Sequence, residues 1–133
     1  MKLSRNMFVI AVATMSALFA SLASARGPYA RSLNQVDSIW LDSNSCLSGL
    51  SDEASEHGFA QSRSPRSADA ILEVDVHQLD ANVGASARYS AVLHGDDGRV
   101  LFRTSGREDS ISQRELCADI GDDIFDRIEN RRG

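Results

Sequence analysis

The sequence predicts an α+β fold: a mainly antiparallel sheet of four to five strands with two helices packed on one face. Three observations predict it. Residues 68–79 (ADAILEVDVHQL) alternate apolar and polar with period two, the mark of a half-buried strand. Asp97-Gly98 separates two further alternating runs, 85–94 and 99–105, and an Asp-Gly step is a strong hairpin signal. One segment on each side of this block instead carries apolar residues at helical spacing.

Residues 36–41 (VDSIWL) are rich in β-branched and aromatic side chains and read as the first strand. Asp42, Ser43, Asn44 and Ser45 then offer N-caps for a helix over 46–57, and Gly58 stands where a helix places its C′ residue. On that helix Cys46, Leu47, Leu50, Ala54 and His57 share a sector of about 100°. His57, at the end, is placed to cap the last carbonyls. Residues 59–62 form a short strand and 63–67 (RSPRS) a polar loop.

In the strand over 68–79, Ala70, Leu72, Val74 and Val76 face one way and Glu73, Asp75 and His77 the other. Residues 80–84 turn. The next two strands group Ala87, Tyr89, Ala91 and Leu93 on one face, then Val100, Phe102 and Thr104. A two-residue loop sets Leu93 opposite Phe102 and a four-residue loop sets it opposite Val100; the buried face is the same either way. Ser112-x-x-Glu115 is a capping-box pattern. It opens a helix ending near Arg131, with Leu116, Cys117, Ile120, Ile124 and Ile128 within about 120°. The element order is β-α-β-β-β-α. The remaining sheet face carries Glu73, Asp75, His77, Arg88, His94, Arg99 and Arg103, a solvent-facing mixture.

The start of the chain reads as an export signal. Lys2 and Arg5 precede an apolar run over 7–22, and Ala23-Ser24-Ala25 closes it before Arg26, the order of a secretory signal peptide cleaved between Ala25 and Arg26. The apolar run is shorter than the ~20 residues that span a bilayer, and no cysteine near the cut offers a lipid anchor. The expected organisation is a signal peptide over 1–25, a loose polar lead-in over 26–35 and one α+β domain over 36–133. The product is expected to be periplasmic or secreted, with no membrane insertion after cleavage. Cleavage removes Lys2 and Arg5 and no acid, taking the formal charge from −5 to −7. Every remaining basic residue is arginine, so lysine-based Schiff-base chemistry has no residue to use. The acidic balance also argues against nucleic acid as a partner.

Cys46 and Cys117 are the only cysteines, and an oxidising compartment favours a disulfide between them. Their separation corresponds to about 4 kcal/mol in the chain-entropy picture. Free thiols are the alternative. The two isolated cysteines lack zinc-site spacing.

No catalytic or cofactor-binding motif is present. There is no G-x-S-x-G elbow, no glycine-rich phosphate loop and no H-E-x-x-H, so the expectations are no enzyme activity, no cofactor and no resident metal. His77 and His94, with Asp75 or Glu73, form a weak metal or hydrolase alternative should their strands bring them together. Asp96-Asp97 could ligate a cation, but a tight turn favours these residues anyway. The unusual feature is electrostatic. Glu115, Asp119, Asp122, Asp126 and Glu129 fall within about 80° of arc on the last helix. Like charges at i,i+4 cost roughly 0.2–0.5 kcal/mol each. This ridge is a candidate surface for a protein partner, one of basic character.

The run of strand, helix, strand, an Ala-Asp-led strand (Ser67-Ala68-Asp69-Ala70-Ile71-Leu72), the hairpin with Asp97-Gly98-Arg99-Val100-Leu101-Phe102 and a closing helix resembles small bacterial envelope proteins, among them the TolB amino-terminal domain and CsgG-type curli-assembly domains. The likeness covers roughly residues 36 to 130. It implies docking in the envelope rather than catalysis. The lack of a lipobox departs from the many lipoproteins among these families, so membrane tethering is not carried over. The expected function is an envelope accessory or adaptor module acting through protein–protein contacts. The alternative is an inhibitor or immunity protein that neutralises a basic toxin or hydrolase.

Overall fold

The computed structural model describes residues 32–95 and 97–132 of the 133-residue chain. The signal peptide, its cleavage site, most of the lead-in and Asp96 lie outside the described residues. β1 (Ser38–Ser43) leads into α1 (Leu47–Glu56) and a two-residue strand, β2 (Ala60–Gln61). Three long strands follow, β3 (Ala70–Leu79), β4 (Ala85–His94) and β5 (Val100–Ser110), before α2 (Gln113–Arg132). They form one sheet in the order β2-β1-β3-β4-β5. β3, β4 and β5 make an antiparallel meander, while β1 runs parallel to both β2 and β3. The parallel pairs follow from the connections, because a helix between two strands returns the chain to the end at which it started.

The alternation read from the sequence holds through β3 and β4 and at Phe102, but Val100, grouped with Phe102 on the buried face, is exposed where β5 leaves the turn beyond the bulge. Ala70, Leu72, Val74 and Val76 are buried, as are Ala87, Tyr89, Ala91, Leu93 and Phe102. They form one core with Leu50 and Ala54 of α1 and with Leu116, Ile120, Ile124 and Ile128 of α2. Leu93 lies opposite Phe102, and a bulge at Leu93/His94 absorbs the odd residue before the turn.

Several boundaries differ from expectation, each for a local reason. β5 continues to Ser110 rather than stopping at 105, because α2 lies along it and covers Thr104, Gly106 and Glu108. The last part of the lead-in is ordered: residues Leu33–Gln35 form a 3-10 turn that buries Leu33. None of the side chains of Asp42, Ser43, Asn44 or Ser45 caps α1, whose N-cap is Cys46 with φ of 65° and no side-chain cap. Asn44 is used elsewhere. β1 pairs with β3 only as far as Ser43 and Val74. Beyond that point the Asn44 amide donates to the Val76 carbonyl and accepts from the Val76 N–H, both at 2.9 Å. It thus replaces the missing strand. At the other end of β1, the Asp69 carboxylate accepts the N–H groups of Asp37 and Ser38 at 2.9 and 3.0 Å.

α2 begins as its capping box requires, with the Ser112 hydroxyl accepting the Glu115 N–H at 3.1 Å. Its buried arc is wider than the predicted sector, since Gly121 and Phe125 are also buried. The sheet covers one flank and α1 covers the other. Cys46 and Cys117 are disulfide-bonded with Cα atoms 5.1 Å apart. At this crossing the helices touch through glycine. A Cβ on Gly49 would stand 2.9 Å from the Cys117 Cβ, and one on Gly121 would stand 2.8 Å from the Glu53 Cγ. Gly49→Ala should therefore cost about 1–3 kcal/mol of overpacking, read from urea denaturation of the oxidised protein. Because the bridge keeps Cys117 from withdrawing, the loss should shrink on reduction. An unchanged midpoint in the oxidised variant would show that the helices are not in contact there.

Candidate functional site

The end of α1 lies against the middle of α2, and this junction brings His57 together with the carboxylates of Glu53, Asp122 and Glu129. α1 ends as its sequence requires: the His57 N–H donates to the Glu53 carbonyl at 3.0 Å, and Gly58 takes φ of +86°. The His57 backbone thus closes the helix, but its imidazole does not cap the carbonyls. It crosses to α2. There Nδ1 lies 2.5 Å from the Glu129 carboxylate and Nε2 lies 3.1 Å from that of Asp122. Glu53, one turn back on α1, places Oε1 3.9 Å from the same Nε2. The ring stacks on Phe125 with centroids 5.8 Å apart, and the His57 side chain is only 14% exposed.

This crowding sets the protonation of the group. Burial alone would lower the His57 pKa, but the hydrogen bonds and charges of Glu129 and Asp122 outweigh it and the net direction is upward. Glu53 is pushed up to about 6, first by burial and then by the neighbouring carboxylates of Glu56 and Asp122. Carboxylates at both nitrogens favour the imidazolium form of the ring. Glu53, His57 and Asp122 can each turn one ligand atom to a common point, with all three atoms within 4.8 Å of one another.

The five carboxylates of the sequence ridge are all exposed on the outer face of α2, but they are not equivalent. Asp122 and Glu129 hold His57. Asp119 accepts the Ser110 hydroxyl of β5 at 2.5 Å. Glu115 and Asp126 make no side-chain ion pair among the described residues. Asp123, just outside the ridge, accepts the Tyr89 hydroxyl and pairs with Arg127 at 3.1 Å. Arg127 also donates to Thr104 Oγ1 and the Ser105 carbonyl, at 2.7 and 2.9 Å, so it ties α2 to β5.

The His77 and His94 alternative is corrected by the strand register. His94 lies opposite Ile71 and His77 opposite Arg88, six residues apart along β3, or about 20 Å. They cannot share a metal ion or a substrate. His94 instead pairs with Glu73 at 3.3 Å. The sequence offered two clues to the real cluster, the i,i+4 spacing of Glu53 and His57 and the acidic ridge. The packing of α1 on α2 was needed to join them.

No family model and no curated protein matches this chain. Solved structures do. PelC from Paraburkholderia phytofirmans, described as a dodecamer, matches with a TM-score of 0.50 at 13% identity, over 71% of this chain and 90% of that one. A minor lipoprotein from Acinetobacter baumannii matches with a TM-score of 0.46 at 11% identity, over 73% and 93%. The lipoprotein GNA1162 from Neisseria meningitidis gives 0.43 at 15%, over 71% and 97%. These likenesses concern the fold. They lie among small bacterial proteins, two of them lipoproteins, and do not single out the TolB or CsgG type.

The raised pKa values fix the sign of a pH effect. Both groups bind protons more tightly folded than unfolded. The His57 contribution is complete below its ordinary pKa of 6.5 and is lost as pH rises through the folded value. The Glu53 contribution is complete below its ordinary pKa of 4.5 and is lost as pH rises to and through about 6. The protein should therefore lose stability from this cluster as pH rises, through Glu53 between about 4.5 and 6 and through His57 above 6.5, and Glu53→Gln should flatten the lower part of that slope. A melting temperature that rises over this range, or a slope that Glu53→Gln leaves intact, would contradict the cluster.

Proposed function

We propose that this chain is a non-enzymatic accessory protein of the bacterial envelope that holds another protein against the acidic outer face of α2. One observation carries the proposal. Glu115 and Asp126 project from a helix whose opposite side is buried in the core, and among the described residues no arginine forms an ion pair with them. Each stands one turn from a like charge, Asp119 or Asp122, which costs stability; Glu115 recovers part of that cost at the helix N-terminus, and Asp126 gains no ion pair among the described residues in return. A basic partner would turn that cost into steering and specificity. The Cys46–Cys117 disulfide supports a place in an oxidising compartment, as does the signal expected at the start of the chain. No helix among the described residues is long and apolar enough to cross a membrane. The fold shared with PelC assigns no partner.

The same charge would serve an inhibitor of a basic toxin or hydrolase, and the partner's identity separates the two readings. Immobilised oxidised protein should retain its partner from a periplasmic extract at low salt. It should release that partner toward 1 M salt, where the Debye length is about 3 Å. Glu115→Gln/Asp126→Asn should weaken retention without lowering the melting temperature. Retention of a multiprotein envelope complex favours the adaptor, and one basic enzyme favours the inhibitor. Binding that ignores both salt and the double substitution would place the contact elsewhere.

A further inference from the structure

We propose that Glu53, His57 and Asp122 form a three-ligand site for a divalent transition-metal ion of the zinc class, with Glu129 as the positioning carboxylate behind the imidazole. The donor atoms are already close to the spacing such an ion needs. Nε2 of His57 is 3.1 Å from Asp122 Oδ1 and 3.9 Å from Glu53 Oε1. Zinc bonds near 2.0–2.1 Å in a tetrahedron leave ligand atoms roughly 3.3 Å apart. Small side-chain adjustments therefore suffice.

The imidazole is set up as a ligand in the way metal sites use it. Glu129 faces Nδ1 at 2.5 Å, which fixes that proton and leaves Nε2 as the coordinating nitrogen. Stacking on Phe125 keeps the ring from turning away. Glu53 and His57 lie one turn apart on α1, so the helix itself sets their separation. Asp122 comes from the other helix and is 66% exposed, so the fourth position opens to solvent. One imidazole and two carboxylates, with no thiolate, suit zinc or a neighbouring first-row divalent ion.

In the protonated ring, the Nε2 proton faces Asp122. Coordination releases this proton to solvent, and the incoming divalent ion leaves the carboxylates with one more positive charge than before. Asp122 and Glu129 belong to the ridge, so an ion there would also join the two helices at the end of α1 remote from the disulfide.

The test is calorimetric titration of zinc chloride alone into EDTA-treated, dialysed, oxidised protein at pH 7.5. One ion per chain should bind, with proton release that follows buffer ionisation enthalpy. Asp122→Asn, an exposed position that leaves the core untouched, should weaken affinity at least tenfold. Glu129→Gln should weaken it roughly 10- to 100-fold, while bound cobalt keeps its four-coordinate visible spectrum. His77→Gln and His94→Gln should bind as the parent does. The assignment is overturned if no saturable one-to-one binding occurs, if binding survives both Asp122→Asn and His57→Gln, or if it disappears with His77 or His94.

Discussion

The rest of the structure depends on the close side-by-side contact of α1 and α2. Two glycines permit it, since Gly49 lies against Cys117 and Gly121 against Glu53 with no room for a Cβ. The Cys46–Cys117 bridge holds one end. At the other end the His57 ring lies on Phe125 and reaches the carboxylates of α2. Such a small domain buries a limited share of its surface. A covalent link and an ionic cluster at opposite ends of one helix pair are therefore large contributions relative to its margin.

This contact also decides which faces remain outside. With the sheet on one side and α1 on the other, α2 buries an arc reaching Phe125. Its carboxylates must share what is left. Some are absorbed by the fold: Asp119 by Ser110, Asp123 by Tyr89 and Arg127, Asp122 and Glu129 by His57. Glu115 and Asp126 make no side-chain ion pair among the described residues. Packing thereby separates the carboxylates that bond to the rest of the fold from those that do not, a distinction that a helical projection cannot make.

Much of the fold could be read from the residues because its determinants are local. The period-two alternation of β3 and β4, the Asp97-Gly98 turn, the Gly58 C′ position and the Ser112 cap each depend on a few neighbouring residues, and each is found in place. What escaped depends on distant partners. Asn44 looked like a helix cap, but its amide completes the edge of β3, 32 residues away. His57 looked like a cap for its own helix, but its ring serves α2, 72 residues away at Glu129. His77 and His94 looked like a pair because both face outward, yet register along β3 keeps them apart. In each case the residue type and face were readable, and the partner was set by how the elements pack.

The central claim is that the His57 imidazole is fixed between the two helices by carboxylates at both nitrogens. A long-range proton–nitrogen correlation spectrum of metal-free protein at pH 6, with through-space contacts from the ring, tests it directly. The structure predicts two protonated ring nitrogens and contacts from the His57 ring protons to Phe125. A ring with ordinary neutral tautomer signals at that pH and no contact to Phe125 would contradict the account.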